Sequence, residues 1–161
     1  MAMTHSDSIE VKRAPGKGRG VFARRAIREG EVIERVPVLV LSVAEVEDAS
    51  AWEGLASYCF LWGERSLALA LGYGSLYNHS FQPNARYDDL GRQTKVFTAL
   101  RDIEPGEEIT VNYNGDPEDG APVGFTVLEA TPAKNGHVPR KSARNRSGEG
   151  AVAGSTVNPA E

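Results

Sequence analysis

Hydrophobic residues in this chain fall in short runs cut by glycine and proline, not in helical stripes. The runs GVFA (20–23), VIE (32–34, after Glu31), VPVLVL (36–41) and KVFTAL (95–100) have the length and β-branched content of strands, with turn residues between them. In IEPGEEITVNY (103–113), Pro105-Gly106 suits a type II turn, proline fixing one φ and glycine accepting a positive one; a strand then runs from Glu108 to Tyr113. Alternation along that strand puts Ile109, Val111 and Tyr113 on one inward face. The segment DDLG (88–91) reads as a turn between two antiparallel strands. Only residues 42–62 look helical, because Ser42 with Glu45 and Ser50 with Glu53 have capping-box spacing. The pattern predicts a mainly β fold of short strands with one or two small helices inserted.

Patterning stops near residue 129. Residues 130–161 contain no aromatic residue, Leu or Ile and are rich in Gly, Pro, Ser and Asn, so they cannot bury enough apolar surface to offset their ordering entropy. The expected organisation is a disordered N-terminus (1–8), one folded unit (9–128) and a disordered basic tail (129–161). A chain of 161 residues fits one domain.

Composition then removes whole classes of function. The single cysteine, Cys59, excludes an internal disulfide and a cysteine-cluster zinc site, and His5, His79 and His137 lie too far apart in sequence and context to be read as a metal set. No apolar run reaches the roughly 20 residues that cross a bilayer. The start, MAMTHSDSIEVKR, has no apolar core of the signal-peptide type, so a cytoplasmic, intracellular location is expected. The net charge of −4 argues against a surface that grips nucleic acid directly. That figure hides a split: residues 1–129 carry 13 basic and 20 acidic side chains, and residues 130–161 carry five and two. An acidic folded unit suits a basic protein partner.

Three segments carry candidate chemistry. PGKGRGVF (15–22) has alternating glycines that let a loop approach a ligand closely, but lacks both P-loop and dinucleotide spacing; a glycine-rich hairpin connection explains it equally well. GYGSLYNHSFQPN (72–84) crowds polar side chains between apolar stretches, and Asn78 and His79 suit either a ligand's heterocycle or buried backbone groups. Tyr113 closes an aliphatic strand face, either as a core plug or as a hydroxyl offered to a pocket.

Together, GKGRGVFA, NHSFQPNARY and the IxxGEEITVNY pattern, in that chain order, resemble the SET-domain protein-lysine N-methyltransferases over about residues 9–116. The short stretch between Pro37 and Leu67 is most similar to the compact viral and bacterial members, which lack zinc-bound flanking modules. The resemblance implies a β-clip-like fold of small curved sheets in which the C-terminal segment forms a pseudoknot. It implies S-adenosylmethionine as cofactor, bound by Lys17, Gly18, Arg19, Asn78, His79 and Tyr113, with Tyr113 catalytic. The expected partner is a lysine-containing basic protein or peptide, and the expected assembly a homodimer. Tyr73, Val111 and Phe125, with Tyr87 as a further aromatic, are candidates for the lysine channel. Val111 stands where many members place a Phe or Tyr that influences methylation degree, so di- or trimethylation is expected. Lys141, or Lys134, in the basic tail is a candidate self-methylation site, against the simpler reading of a solvated tail.

Overall fold

A computed structural model describes residues 7–44 and 53–128. The elements in order are strands β1 (Ile9–Ala14), β2 (Gly18–Ala23) and β3 (Val32–Ser42), helix α1 (Glu53–Ala56), β4 (Cys59–Leu61) and β5 (Ser66–Ala70). A 3-10 turn (Gly74–Leu76) follows, then β6 (Asn78–His79), β7 (Ala85–Leu90), β8 (Thr94–Ala99) and β9 (Glu108–Val111). Two sheets result, ordered β1-β2-β9-β6 and β4-β5-β3-β8-β7. The mainly β expectation holds, and α1 with a helical turn at residues 43–44 lies in the region expected to be helical. Glu45 and Ser50, half of each capping box, lie outside the described residues, as does the whole of the tail from residue 129.

The first hairpin is closed by Pro15, Gly16 and Lys17. Gly16 takes φ +76°, and the Lys17 amide donates to the Ala14 carbonyl at 3.1 Å. Ser8, assigned from sequence to the disordered N-terminus, is buried and accepts the Arg24 amide at 2.8 Å. The runs at 31–34 and 36–41 merge into one strand, β3. Its first half pairs with β8 and its second with β5, and Pro37 falls at the changeover, where a ladder donor is least needed.

The Pro105-Gly106 turn forms as expected, with Gly106 at φ +83° and the Glu107 amide donating to the Glu104 carbonyl at 3.1 Å. The β7–β8 turn falls further on than expected. Asp88, Asp89 and Leu90 stay in the ladder, and the chain reverses through Gly91, Arg92 and Gln93, with Arg92 and Gln93 at φ 63° and 54°.

The core fills the space between the sheets with Val21, Ile27, Phe97, Ile103, Ile109 and Val111, all essentially inaccessible. Burying Phe97 alone contributes about 2–3 kcal/mol, and its ring stacks on Tyr77 at 4.4 Å. The five-stranded sheet curls until its two edge strands touch: the rings of Phe60 on β4 and Tyr87 on β7 stand 4.8 Å apart, edge to face.

Candidate active site

The two-residue strand β6 lies parallel to β9, pairing Asn78 with Thr110 and His79 with Val111. This brings the second and third sequence segments side by side, and β2 on the other flank of β9 adds the first. Asn84 locks the junction. Its amide donates to the Glu108 carbonyl at 2.8 Å and to Glu107 Oε1 at 3.1 Å, and its Oδ1 accepts the Thr110 amide at 2.9 Å.

Glu108 ties all three segments together beneath the glycine hairpin. One carboxylate oxygen accepts Asn78 Nδ2 at 2.7 Å and the other accepts Lys17 Nζ at 3.2 Å; the side chains of Lys17 and Glu108 are only 11% and 9% exposed. Asn78 Nδ2 also donates to the Arg19 carbonyl at 3.0 Å. Gly20 is required at this point, because a Cβ there would stand 2.7 Å from both Asn78 Nδ2 and Glu108 Oε1. Above the network, Gly18 takes φ +83° and faces open space.

Strand β9 ends at Val111, two residues before the expected end, because Asn112 diverts the chain. Its Oδ1 accepts the Asn114 amide at 3.1 Å and its Nδ2 donates to the Asp119 carbonyl at 2.7 Å. Tyr113 therefore leaves the strand face it was expected to share with Ile109 and Val111. It is partly exposed, its amide donates to His79 Nδ1 at 3.1 Å, and its hydroxyl donates to the Tyr77 carbonyl at 2.8 Å. Burial of the hydroxyl, with the charges of Tyr58, Glu108 and Tyr87 nearby, pushes its pKa up to about 12, so it stays protonated through the neutral range.

Two cavities open onto Tyr113. The smaller, about 360 Å³, is walled by Lys17, Gly18, Arg19, Asn78 and Phe125. The larger, about 580 Å³, is walled by Cys59, Phe60, Tyr87, Asp89 and Lys95. Tyr113 lines both, along with Ser57, Tyr58, Ser75 and Tyr77. Both volumes fall within the range of about 300–1,000 Å³ typical of small-molecule sites.

The candidates named from sequence separate on this geometry. Lys17, Gly18, Arg19, Asn78, Tyr113 and Phe125 surround the smaller cavity, and Tyr87 walls the larger. His79 is 3% exposed and packs against Phe81, Tyr113 and Phe125; its ring orients the Tyr113 backbone and does not line either cavity. Val111 and Tyr73 belong to the core and its packing shell, away from both cavity walls. Glu108, Tyr77 and Tyr58 carry the geometry and were not singled out from sequence. The signal for Glu108 was its place in the GEE segment beside Gly20 and Asn78, readable only once the three segments are known to meet. Among the described residues no group of three His, Cys, Asp or Glu side chains is placed to hold a metal ion, and no helix is long and apolar enough to cross a membrane.

The two cavities thus share a wall made by Ser57, Tyr58, Ser75, Tyr77 and Tyr113. Residues 18–114 match the family model of the SET domain, and the chain belongs to that family. A Schizosaccharomyces pombe histone-lysine N-methyltransferase, H3 lysine-37 specific, is 36% identical over 106 residues, covering 65% of this chain and 72% of that protein. Human histone-lysine N-methyltransferase 2B is 31% identical over 127 residues, which cover 73% of this chain and 5% of that much longer protein. A crystal structure of a Plasmodium falciparum protein assigned as a histone methyltransferase superposes with a TM-score of 0.57 at 29% identity, covering 66% of this chain and 92% of that one. The expected class, a protein-lysine methyltransferase, is borne out by the family and these relatives.

Proposed function

We propose that the chain moves a methyl group from S-adenosylmethionine, held in the smaller cavity, to the side-chain amine of a lysine that enters through the larger one. The observation that carries this reading is the placement of Tyr113 on the wall of both cavities. The residues of the smaller cavity fit the cofactor. Arg19 supplies positive charge for a carboxylate, Gly18 leaves its backbone open to close approach, and Glu108 holds Lys17 and Asn78 in the cavity wall. When bound, S-adenosylmethionine supplies an electrophilic methyl group on a sulfonium.

The rest is the work of this chain's residues. A free lysine has pKa about 10.4, so presenting the neutral amine near pH 7.4 costs about 4 kcal/mol. Loss of water around the entering side chain, together with the positive charge of the sulfonium, lowers that cost by disfavouring the ammonium form. Holding the amine in line with its target supplies much of the rate. The Tyr113 proton is committed to the Tyr77 carbonyl, so its oxygen lone pairs are left to accept hydrogen bonds from the polarised methyl and the amine while the methyl passes from sulfur to nitrogen.

The substrate is a basic protein or peptide, of which histones are the example supplied by the relatives. The acidic charge of residues 1–129 supports this. A pseudoknot involving the β6–β9 pairing, di- or trimethylation at a site with Val111 in place of an aromatic, and a homodimer belong to the same reading. The test is transfer of labelled methyl from S-adenosylmethionine into histones and a proteome extract, followed by peptide identification. Label on lysine side chains is the expected result. Cofactor binding with no acceptor in any extract would instead favour a non-catalytic module that holds the cofactor or a peptide.

A further inference from the structure

The Lys95 side chain is only 1% exposed, one residue into strand β8. Its Nζ lies 4.5 Å from the Phe60 ring centroid, 4.6 Å from Tyr87 and 5.5 Å from Trp62, and it donates to the half-exposed Asp89 carboxylate. Asp88 is engaged elsewhere, with Arg86 Nε at 3.2 Å, so Asp89 is the counter-charge. We propose that Lys95 and Asp89, with Phe60, Trp62 and Tyr87, form a cationic clip that holds the two edges of the five-stranded sheet together and sets the wall of the larger cavity, making Lys95 a positioning residue for the transfer. This rests on the reading of that cavity as the lysine entry.

The connectivity supports the assignment. Phe60 sits on β4 and Tyr87 on β7, the opposite edges of the sheet, and Lys95 on β8 touches both. No backbone ladder joins β4 to β7, so side chains must do it. An aliphatic chain of similar length would fill the space without the desolvation cost of a buried cation. What a cation adds is direction: the attraction to an aromatic face fixes how each ring is turned. Tyr87 passes this orientation on, since its hydroxyl donates to the Tyr113 carbonyl at 3.3 Å. The clip thus links the cavity wall to the backbone of the residue proposed as catalytic.

Cys59 lies beside Phe60 on β4, lines the same cavity, and is the chain's single cysteine, so its thiol reports on the β4 edge without reference to activity. In the full chain, Lys95→Met should raise the rate of Cys59 alkylation by iodoacetamide about tenfold, and Lys95→Arg should bring it back close to wild type. The KM for a peptide acceptor should rise about tenfold in Lys95→Met while the Kd for S-adenosylmethionine stays within about twofold of wild type. Asp89→Asn, a change at a half-exposed side chain, keeps the test open should Lys95→Met fail to fold; it should raise the alkylation rate several-fold. Unchanged alkylation and unchanged KM in a folded Lys95→Met or Asp89→Asn overturns the clip. So does a Kd for S-adenosylmethionine that rises in parallel with KM, which would mark general damage to the fold. A wild-type chain that methylates no acceptor, with the alkylation pattern intact, fails the functional reading and leaves the clip standing.

Discussion

The hydroxyl of Tyr113 donates a hydrogen bond to the backbone carbonyl of Tyr77 at 2.8 Å, joining the second residue after β9 to the residue before β6. That bond fixes which way the hydroxyl proton points and which way its lone pairs are left to point. Tyr113→Phe keeps the ring in place and removes the oxygen. Turnover should fall about a hundredfold or more, while thermal stability changes by no more than about 1.5 kcal/mol and cofactor affinity is retained. Steady-state kinetics beside cofactor titration would check this, and full activity in the variant would remove Tyr113 from its assigned role.

Glu108 holds Lys17 and Asn78 at once, nearly out of solvent. Glu108→Ala leaves an ammonium and an amide facing a void. A cost of about 2–3 kcal/mol is expected, together with weaker binding of S-adenosylmethionine. Glu108→Gln should fall between the two, because it still accepts one hydrogen bond. Calorimetric titration and thermal melts on the same samples separate the two effects.

Gly20→Ala tests the same network from the backbone side. The added methyl would meet two polar atoms at 2.7 Å, and both belong to side chains fixed by other bonds. The overpacking should lower stability by about 1–3 kcal/mol. Cofactor binding should weaken with it, and Gly18→Ala, which meets no protein atom but requires φ +83°, should cost stability through backbone strain and weaken cofactor binding by placing a methyl in the smaller cavity.

Glu34 is half-buried beside Tyr77 and the Tyr73 backbone, and removal from water pushes its carboxyl up to about 7. An acid whose pKa is higher folded than unfolded stabilises the fold at low pH. That contribution is full below about 4.5 and is lost as pH rises through about 7. The window corresponds to about 3 kcal/mol at most. Glu34→Gln, which stays neutral, should therefore gain stability over wild type between pH 5 and pH 8. Denaturant melts at both pH values would show it; a constant difference between the two proteins would refute it.

A homodimer is the remaining expectation, supported by the resemblance to compact SET proteins and by the exposed Leu39 and Leu61. Light scattering should give twice the chain mass, and a monomer mass would refute it.

Local chemistry explains what was legible in the sequence. The β1–β2 hairpin, the Pro105-Gly106 turn and the strands at 20–23, 95–99 and 108–111 follow from residues within a few positions of one another. The three motif segments were readable too, as a resemblance, although each had an ordinary local explanation. Those ordinary explanations were partly correct: residues 15–17 do close a hairpin, and His79 does satisfy a backbone amide. Tertiary structure decided where these segments meet. Lys17 and Glu108 are 91 residues apart, Asn78 and Arg19 are 59 apart, and no local rule relates them. It also decided that Tyr113 turns off its strand, because Asn112 bonds to Asp119 only when that loop folds back. Lys95 shows the limit most sharply. Alternation marks one face of a strand as wet, yet β8 is covered on both faces, so Lys95 and Val96 are buried side by side. A period of two records which residues share a face, and only the packing of distant segments determines whether that face meets water.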